Sequence, residues 1–188
     1  MRKLSVFNQV SIDGYFRTAD GDIGWVKAPQ GDDPEFKGFI SGNASGDGVL
    51  LFGRKTYEMM ASFWPTAAAA AQFPEVARGM ARAAKVVFSR TMKDAAWSNT
   101  TVVNGDPVEE VGRLKQAPGA PLVILGSGSL VAPLARAGLI DEYQLLVFPV
   151  VLGAGVGMFA GVGRSIELKL TSTRTFKNGI TLLVYAPR

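Results

Sequence analysis

The chain of 188 residues contains no cysteine and no histidine. The first absence excludes disulfides, thiol nucleophiles and zinc–thiolate sites, and the second excludes His-based triads and imidazole metal ligands, so no metal site is expected. Acid–base work must fall to Asp, Glu, Lys, Tyr or water. No side chain that is present cycles readily between redox states, so a redox reaction would need a cofactor. No run reaches 18 uninterrupted apolar residues, and no membrane span is expected. The opening "MRKLSVFNQVSIDGYF" carries charge at its start, but Ser5, Asn8 and Gln9 interrupt its apolar run, so it lacks the core of a secretory signal. The cytoplasm is the expected compartment. No cluster of five or more Lys/Arg occurs, which argues against a nucleic-acid partner.

What is present suits a globular fold: 47% of residues are hydrophobic and 19% charged, over a length that fits one domain spanning residues 1–188. The net charge of +4 is spread along the chain and matches a small polyanionic ligand.

Strand and helix patterns alternate. "KLSVFNQV" (3–10) reads as a first strand, "SIDGYFRTADGDIGW" (11–25) as a long loop rich in turn residues, and "DDPEFKGFIS" (32–41) as a short helix with Pro34 in its first turn. "GVLLFG" (48–53) is a buried strand, followed by a helix over "RKTYEMMASF" (54–63) that ends at Trp64-Pro65. The alanine-rich stretch 67–83 reads as a loop plus a helix from near Pro74. Strands are expected at "KVVFSR" (85–90), "TTVVNG" (100–105) and "PLVILG" (121–126), and helices at "PVEEVGRLKQA" (107–117) and "SLVAPLARAG" (129–138), the latter capped by Ser129. The end differs: 141–151, 165–176 and 179–187 are strand-like with no long helix between them, and "KNG" (177–179) carries the Asn-Gly signal of a tight hairpin. This order predicts an α/β fold with a mixed, mostly parallel sheet flanked by helices and a C-terminal antiparallel hairpin. Exposed edge strands near the C-terminus, read as apolar, make a homodimer an expectation.

Three strands run into suggestive chemistry at their carboxyl ends, where ligands sit in open α/β sheets. These ends are Gly53-Arg54-Lys55-Thr56, Ser89-Arg90-Thr91 and Gly126-Ser127-Gly128-Ser129. The first and third open helices, and a helix N-terminus preceded by glycine offers backbone N–H groups to an anion. Each alone is an ordinary turn, cap or solvated charge; together at three strand ends they point to phosphate. A Rossmann fingerprint is excluded, because Val131 stands where the third glycine would be and a hairpin, not a βαβ unit, follows.

"LLFGRKTYE", "VVFSR" and "VILGSGSLVAPLARAGLIDEYQLLVFPVVLGAG", with "SIDGYF" near the start, resemble the dihydrofolate reductase-like superfamily. The resemblance covers essentially the whole chain. It is strongest to stand-alone relatives of the bacterial riboflavin-biosynthesis reductase domain. It implies a three-layer fold and an oxidoreductase that uses NADPH to reduce a pteridine-, pyrimidinone- or folate-like heterocycle. By the same resemblance, Gly53, Arg54, Lys55 and Thr56 serve the cofactor's phosphates, Ser89 and Arg90 the 2′-phosphate, and Gly126, Ser127, Gly128, Ser129 and Leu130 the pyrophosphate. The substrate would meet Trp25, Pro149 and Val150. For the acid, the resemblance offers Asp13 of "SIDG", or an acid early in the first helix, where Asp32, Asp33 and Glu35 all stand, Asp33 among them as a catalytic candidate. The zinc deaminase domain that often accompanies the riboflavin enzyme is excluded by the missing His and Cys.

Overall fold

The computed structural model describes residues 1–27, 31–44 and 47–188. Among them, strands β1 (Leu4–Ser11), β3 (Val49–Gly53), β4 (Lys85–Phe88), β5 (Thr100–Val103), β6 (Leu122–Leu125), β7 (Glu142–Phe148), β9 (Leu168–Thr175) and β10 (Thr181–Pro187) form one sheet in the order β5-β4-β3-β6-β1-β7-β10-β9. β5 through β7 are mutually parallel, while β10 runs antiparallel to both β7 and β9. The expected parallel sheet with a terminal hairpin is therefore present. Its turn places Gly179 at φ +82°, a conformation for which glycine carries no Cβ penalty.

Alternation along the strands sorts side chains to two faces. Leu4, Val6, Leu51, Leu122 and Ile124 pack with Val111 of helix α5 (Pro107–Gln116) and with Leu130, Val131 and Leu134 of helix α6 (Gly128–Arg136). The other face carries two cores. Over β1, β7 and β10, Phe36 of helix α1 (Pro34–Ala44) packs with Phe148, Phe176 and Ile180. Over β3 and β4, Tyr57 of helix α2 (Arg54–Phe63) packs with Phe52 and Trp97, alongside Val76 and Met80 of helix α4 (Pro74–Arg82). The result is three layers: helices, sheet, helices.

Three local expectations need correction. The stretch before Pro74 is not a loop: Ala67–Gln72 is its own helix, α3, because alanine is the best helix former and Thr66 caps it by accepting from the Ala69 N–H at 3.2 Å. The loop over 11–25 contains a short strand, β2 (Tyr15–Arg17), which pairs with β8 (Val156–Gly157). Three residues are too few to show a period, and the partner lies far along the chain. The cap position of α6 is Ser127, not Ser129; Ser129 lies inside the first turn.

Candidate functional site

β3 and β6 are neighbours, with Leu51 level with Ile124, so the turns that follow them meet at the sheet's carboxyl edge. Gly126 and Ser127 both adopt left-handed backbone, at φ +63° and +55°. That kink aims the buried Ser127 hydroxyl across the gap, where it accepts the Gly53 N–H at 2.8 Å. A Cβ on Gly53 would lie 2.7 Å from the Ser129 Oγ, so only glycine lets the two turns close without displacing that side chain. The N-termini of α2 and α6 are thereby pinned side by side. Each presents backbone N–H groups without an intrahelical partner.

A cavity of about 1550 Å³ opens at this junction. It exceeds the roughly 300–1,000 Å³ typical of a pocket for one small ligand. Gly53, Arg54, Lys55, Thr56, Ser89, Arg90, Gly126, Ser127, Gly128 and Ser129 all line it. Ten of the expected cofactor residues thus share one wall although they come from three separate segments. Four cations, Arg17, Arg54, Lys55 and Arg90, face two carboxylates, Asp20 and Asp47, among the described lining residues. Arg54 is engaged by Glu58 at 2.9 Å on the helix surface. Arg17, Lys55 and Arg90 have no carboxylate partner among the described residues. Ser89 shapes the turn after β4: its hydroxyl oxygen accepts from the N–H groups of Thr91 and Met92, at 3.3 and 3.0 Å. Its own proton remains available to a phosphate oxygen.

Leu130 is the expected cofactor residue that the fold withdraws. Its side chain is buried in the core under α6, and its N–H is bonded to the Ser127 carbonyl at 2.8 Å.

The expected acids are engaged elsewhere. Asp33 is buried and caps α1, accepting from the N–H groups of Glu35 and Phe36 at 3.0 and 3.2 Å and from Asn178 at 3.1 Å. Burial pushes its carboxyl up, but backbone donors from Phe36, Asn178, Glu35 and Lys177 together outweigh that and hold the pKa below the ordinary value. Asp32 pairs with Lys37, and Glu35 with Arg174 at 2.7 Å. Asp13 is exposed and accepts from the backbone of Leu152 and Gly153 at 3.1 and 2.8 Å. The Ser11 hydroxyl foremost, with those N–H groups adding to it, outweighs the opposing effect of burial and keeps its pKa low. None of the four lines the cavity. Asp13 and Asp33 are corrected to a loop tie and a helix cap: each carboxylate is stabilised as the anion, which makes it a poor proton donor.

The substrate residues also move. Trp25 packs edge-on against Phe148 at 5.5 Å, behind the cavity wall, while its neighbours Ile23 and Val26 line the wall itself. Pro149 sits against the hairpin turn at Gly179, and the Val150 carbonyl holds the Ile12 N–H. Neither lines the cavity.

Asn8 is the residue that sequence reasoning passed over. It lies on β1 on the α6 face, 5% exposed, lines the cavity beside Gly126, and its Nδ2 has no hydrogen-bond partner. A buried donor left unmade is costly, so its persistence at a cavity wall marks a place for an acceptor. The available signal was an amide interrupting an apolar strand, "SVFNQV". The site fits a dinucleotide phosphate: two helix N-termini and three cations without carboxylate partners, Arg17, Lys55 and Arg90, for the phosphates, and an orphaned buried amide beyond them.

Comparisons with known proteins bear on the fold and the family. YyaP of Bacillus subtilis (strain 168), itself an uncharacterized protein, is 31% identical over 184 residues, covering 98% of this chain and 94% of YyaP. In structure, a riboflavin biosynthesis protein assignment from Shewanella sp. PV-4 matches with a TM-score of 0.74 at 24% identity, covering 100% and 99% of the two chains. Dihydrofolate reductase from Enterococcus faecalis, complexed with NADP(H) and RAB-propyl, matches with a TM-score of 0.65 at 16% identity, covering 99% and 96%. The mixed sheet and its flanking helices are thus of the dihydrofolate reductase type. The model of the RibD C-terminal domain matches residues 2–182, and the chain belongs to that family.

Proposed function

We propose that this protein is an NADPH-dependent reductase of an unsaturated nitrogen heterocycle. The observation that carries the reading is the convergence of three strand ends on one cavity wall, with the α2 and α6 N-termini tied by the Gly53–Ser127 hydrogen bond. When bound, NADPH supplies a hydride; the protein's part is to bind, orient and exclude water. The N–H groups opening α2 and α6 hold pyrophosphate oxygens. Lys55 and Arg90 add charge-assisted hydrogen bonds, with Arg90 and Ser89 at the 2′-phosphate. Asn8 donates from Nδ2 to an acceptor at the head of the cavity, which sets the depth to which the bound group enters.

One observation favours a second reading, a non-catalytic NADP(H)-binding protein. The carboxylates lining the cavity among the described residues are Asp20 and Asp47, and Asp20 is held low chiefly by the Thr18 hydroxyl. In the reductase reading the proton therefore comes from water. Fluorescence titration with NADPH, then steady-state NADPH oxidation against pterins, pyrimidinones and folates, separates the two. The reductase reading expects both binding and turnover. Binding with no turnover on any of them favours the second reading, and absence of binding overturns both.

A further inference from the structure

The phosphate wall uses only part of the cavity. The rest runs down the opposite face of the sheet, along the seam between the α1 core and the α2–α4 core. Leu50 and Val123 form its floor, Ile40 of α1 one wall, and Met60, Val76 and Met80 the other. It extends from Gly53 and Leu125 back to Gly48 and Pro121 at the amino ends of β3 and β6. Five residues of strand give it a length of about 16 Å. That is room for a ring and a substituent.

The charges are distributed unevenly. Arg54, Lys55 and Arg90 stand at strand carboxyl ends and Arg17 on β2, all at the dinucleotide end. Along the seam the charged group among the described lining residues is Asp47, at the far end beside Gly48. An anionic substituent there would find no cation among the described lining residues and would meet the like charge of the exposed Asp47 carboxylate. An apolar group instead gains the contacts of two methionines, whose unbranched side chains adapt to irregular shapes. Gln9 lines the cavity on β1, and alternation from Asn8 turns it toward this face, where its carboxamide can pair with a ring amide.

Building on the reductase reading, we propose that the substrate is an uncharged amide-type heterocycle with an apolar substituent, which lies in the seam between α1 and α4, and not a phosphorylated one. The test uses two probes of one shape, benzyluracil and its para-carboxylate, titrated into the protein with and without saturating NADP⁺. Trp64 reports, because it is the tryptophan that lines the cavity, whereas Trp25 and Trp97 do not. Benzyluracil is expected to bind at least 10-fold more tightly than the carboxylate. In Ile40→Lys that ratio should fall at least 10-fold, while in the size control Ile40→Met it should not. NADP⁺ affinity of each variant verifies its fold, and the wild-type ratio stands even if Ile40→Lys fails to fold. Equal binding, tighter binding of the carboxylate, or no binding of either probe overturns the proposal. Failure of NADP⁺ to bind while the probe ratio holds would instead overturn the dinucleotide reading and leave the seam's specificity standing.

Discussion

At the scale of single residues, Asn8 and Arg90 carry the sharpest consequences. Asn8 keeps a buried donor unmade in the ligand-free protein, at a cost of about 1–3 kcal/mol for such a group. Asn8→Leu should therefore raise the denaturation midpoint of the free protein and weaken NADPH binding about 3- to 10-fold, the loss of one hydrogen bond. Chemical denaturation and fluorescence titration read the two effects, and a variant that is both less stable and binds normally would make Asn8 a packing residue. Arg90 is exposed and has no carboxylate partner among the described residues. An exposed charge–phosphate contact lies at the low end of its range, so Arg90→Ala should reduce the preference for NADPH over NADH by about 10-fold in isothermal titration, and less at high salt. An unchanged preference would place 2′-phosphate recognition elsewhere.

At the scale of elements, the bond between the two glycine-rich turns holds α2 and α6 together. Ser127 serves it from left-handed backbone, which costs a side-chain-bearing residue about 1 kcal/mol. Ser127→Gly removes the acceptor but relieves that strain; Ser127→Ala removes the acceptor and keeps the strain. Both should lose stability, by about 1–3 kcal/mol for the orphaned Gly53 N–H, with the alanine variant the less stable. NADPH affinity should fall in both, since the two helix N-termini are no longer pinned. Urea melts ranking glycine below alanine would contradict the strain. At the other edge, β9 is more polar than expected: Lys169, Thr171, Ser172, Thr173 and Arg174 are exposed along it, with Leu170 the large apolar side chain that is exposed. Charge and hydroxyls on an edge strand discourage pairing, which weakens the case for a dimer through that edge.

For the molecule as a whole, two groups set an alkaline stability profile. Lys85 is buried with its ammonium over the Trp97 ring at 4.4 Å, donating to the carbonyls of Ala83 and Ser98 at 2.7 and 3.2 Å. Burial lowers its pKa to about 8 from 10.5. Between those values the unfolded chain binds the proton that the folded chain has released, so stability rises with pH across that window. Burial raises the Tyr143 pKa above 10.0, and there the folded chain keeps a proton that the unfolded chain loses, so stability falls again. Denaturation series at several pH values should show a rise from about 8 and a fall beyond about 10. Lys85→Met should abolish the rise and stabilise the protein at neutral pH.

How much was legible beforehand differs between fold and site. Strand and helix order, the terminal hairpin and the glycine-rich strand ends that open helices follow from short-range signals: hydrophobic period, glycine turns and helix starts within a few residues. The absence of Cys and His likewise excluded whole chemistries from composition alone. What only the tertiary structure decided depends on partners far along the chain. Asp33 caps α1 through neighbouring N–H groups, but it is buried and tied to the hairpin because Asn178, 145 positions away, donates to its other oxygen. Ser127 is a clasp because Gly53, 74 positions away, donates to it. Asn8 is buried because β6 and β7, both more than 100 positions away along the chain, flank β1 on either side, and the apolar seam exists because two cores form separately on one face. A carboxylate looks the same in sequence whether it faces a cavity or a backbone N–H; which one it meets is settled by packing.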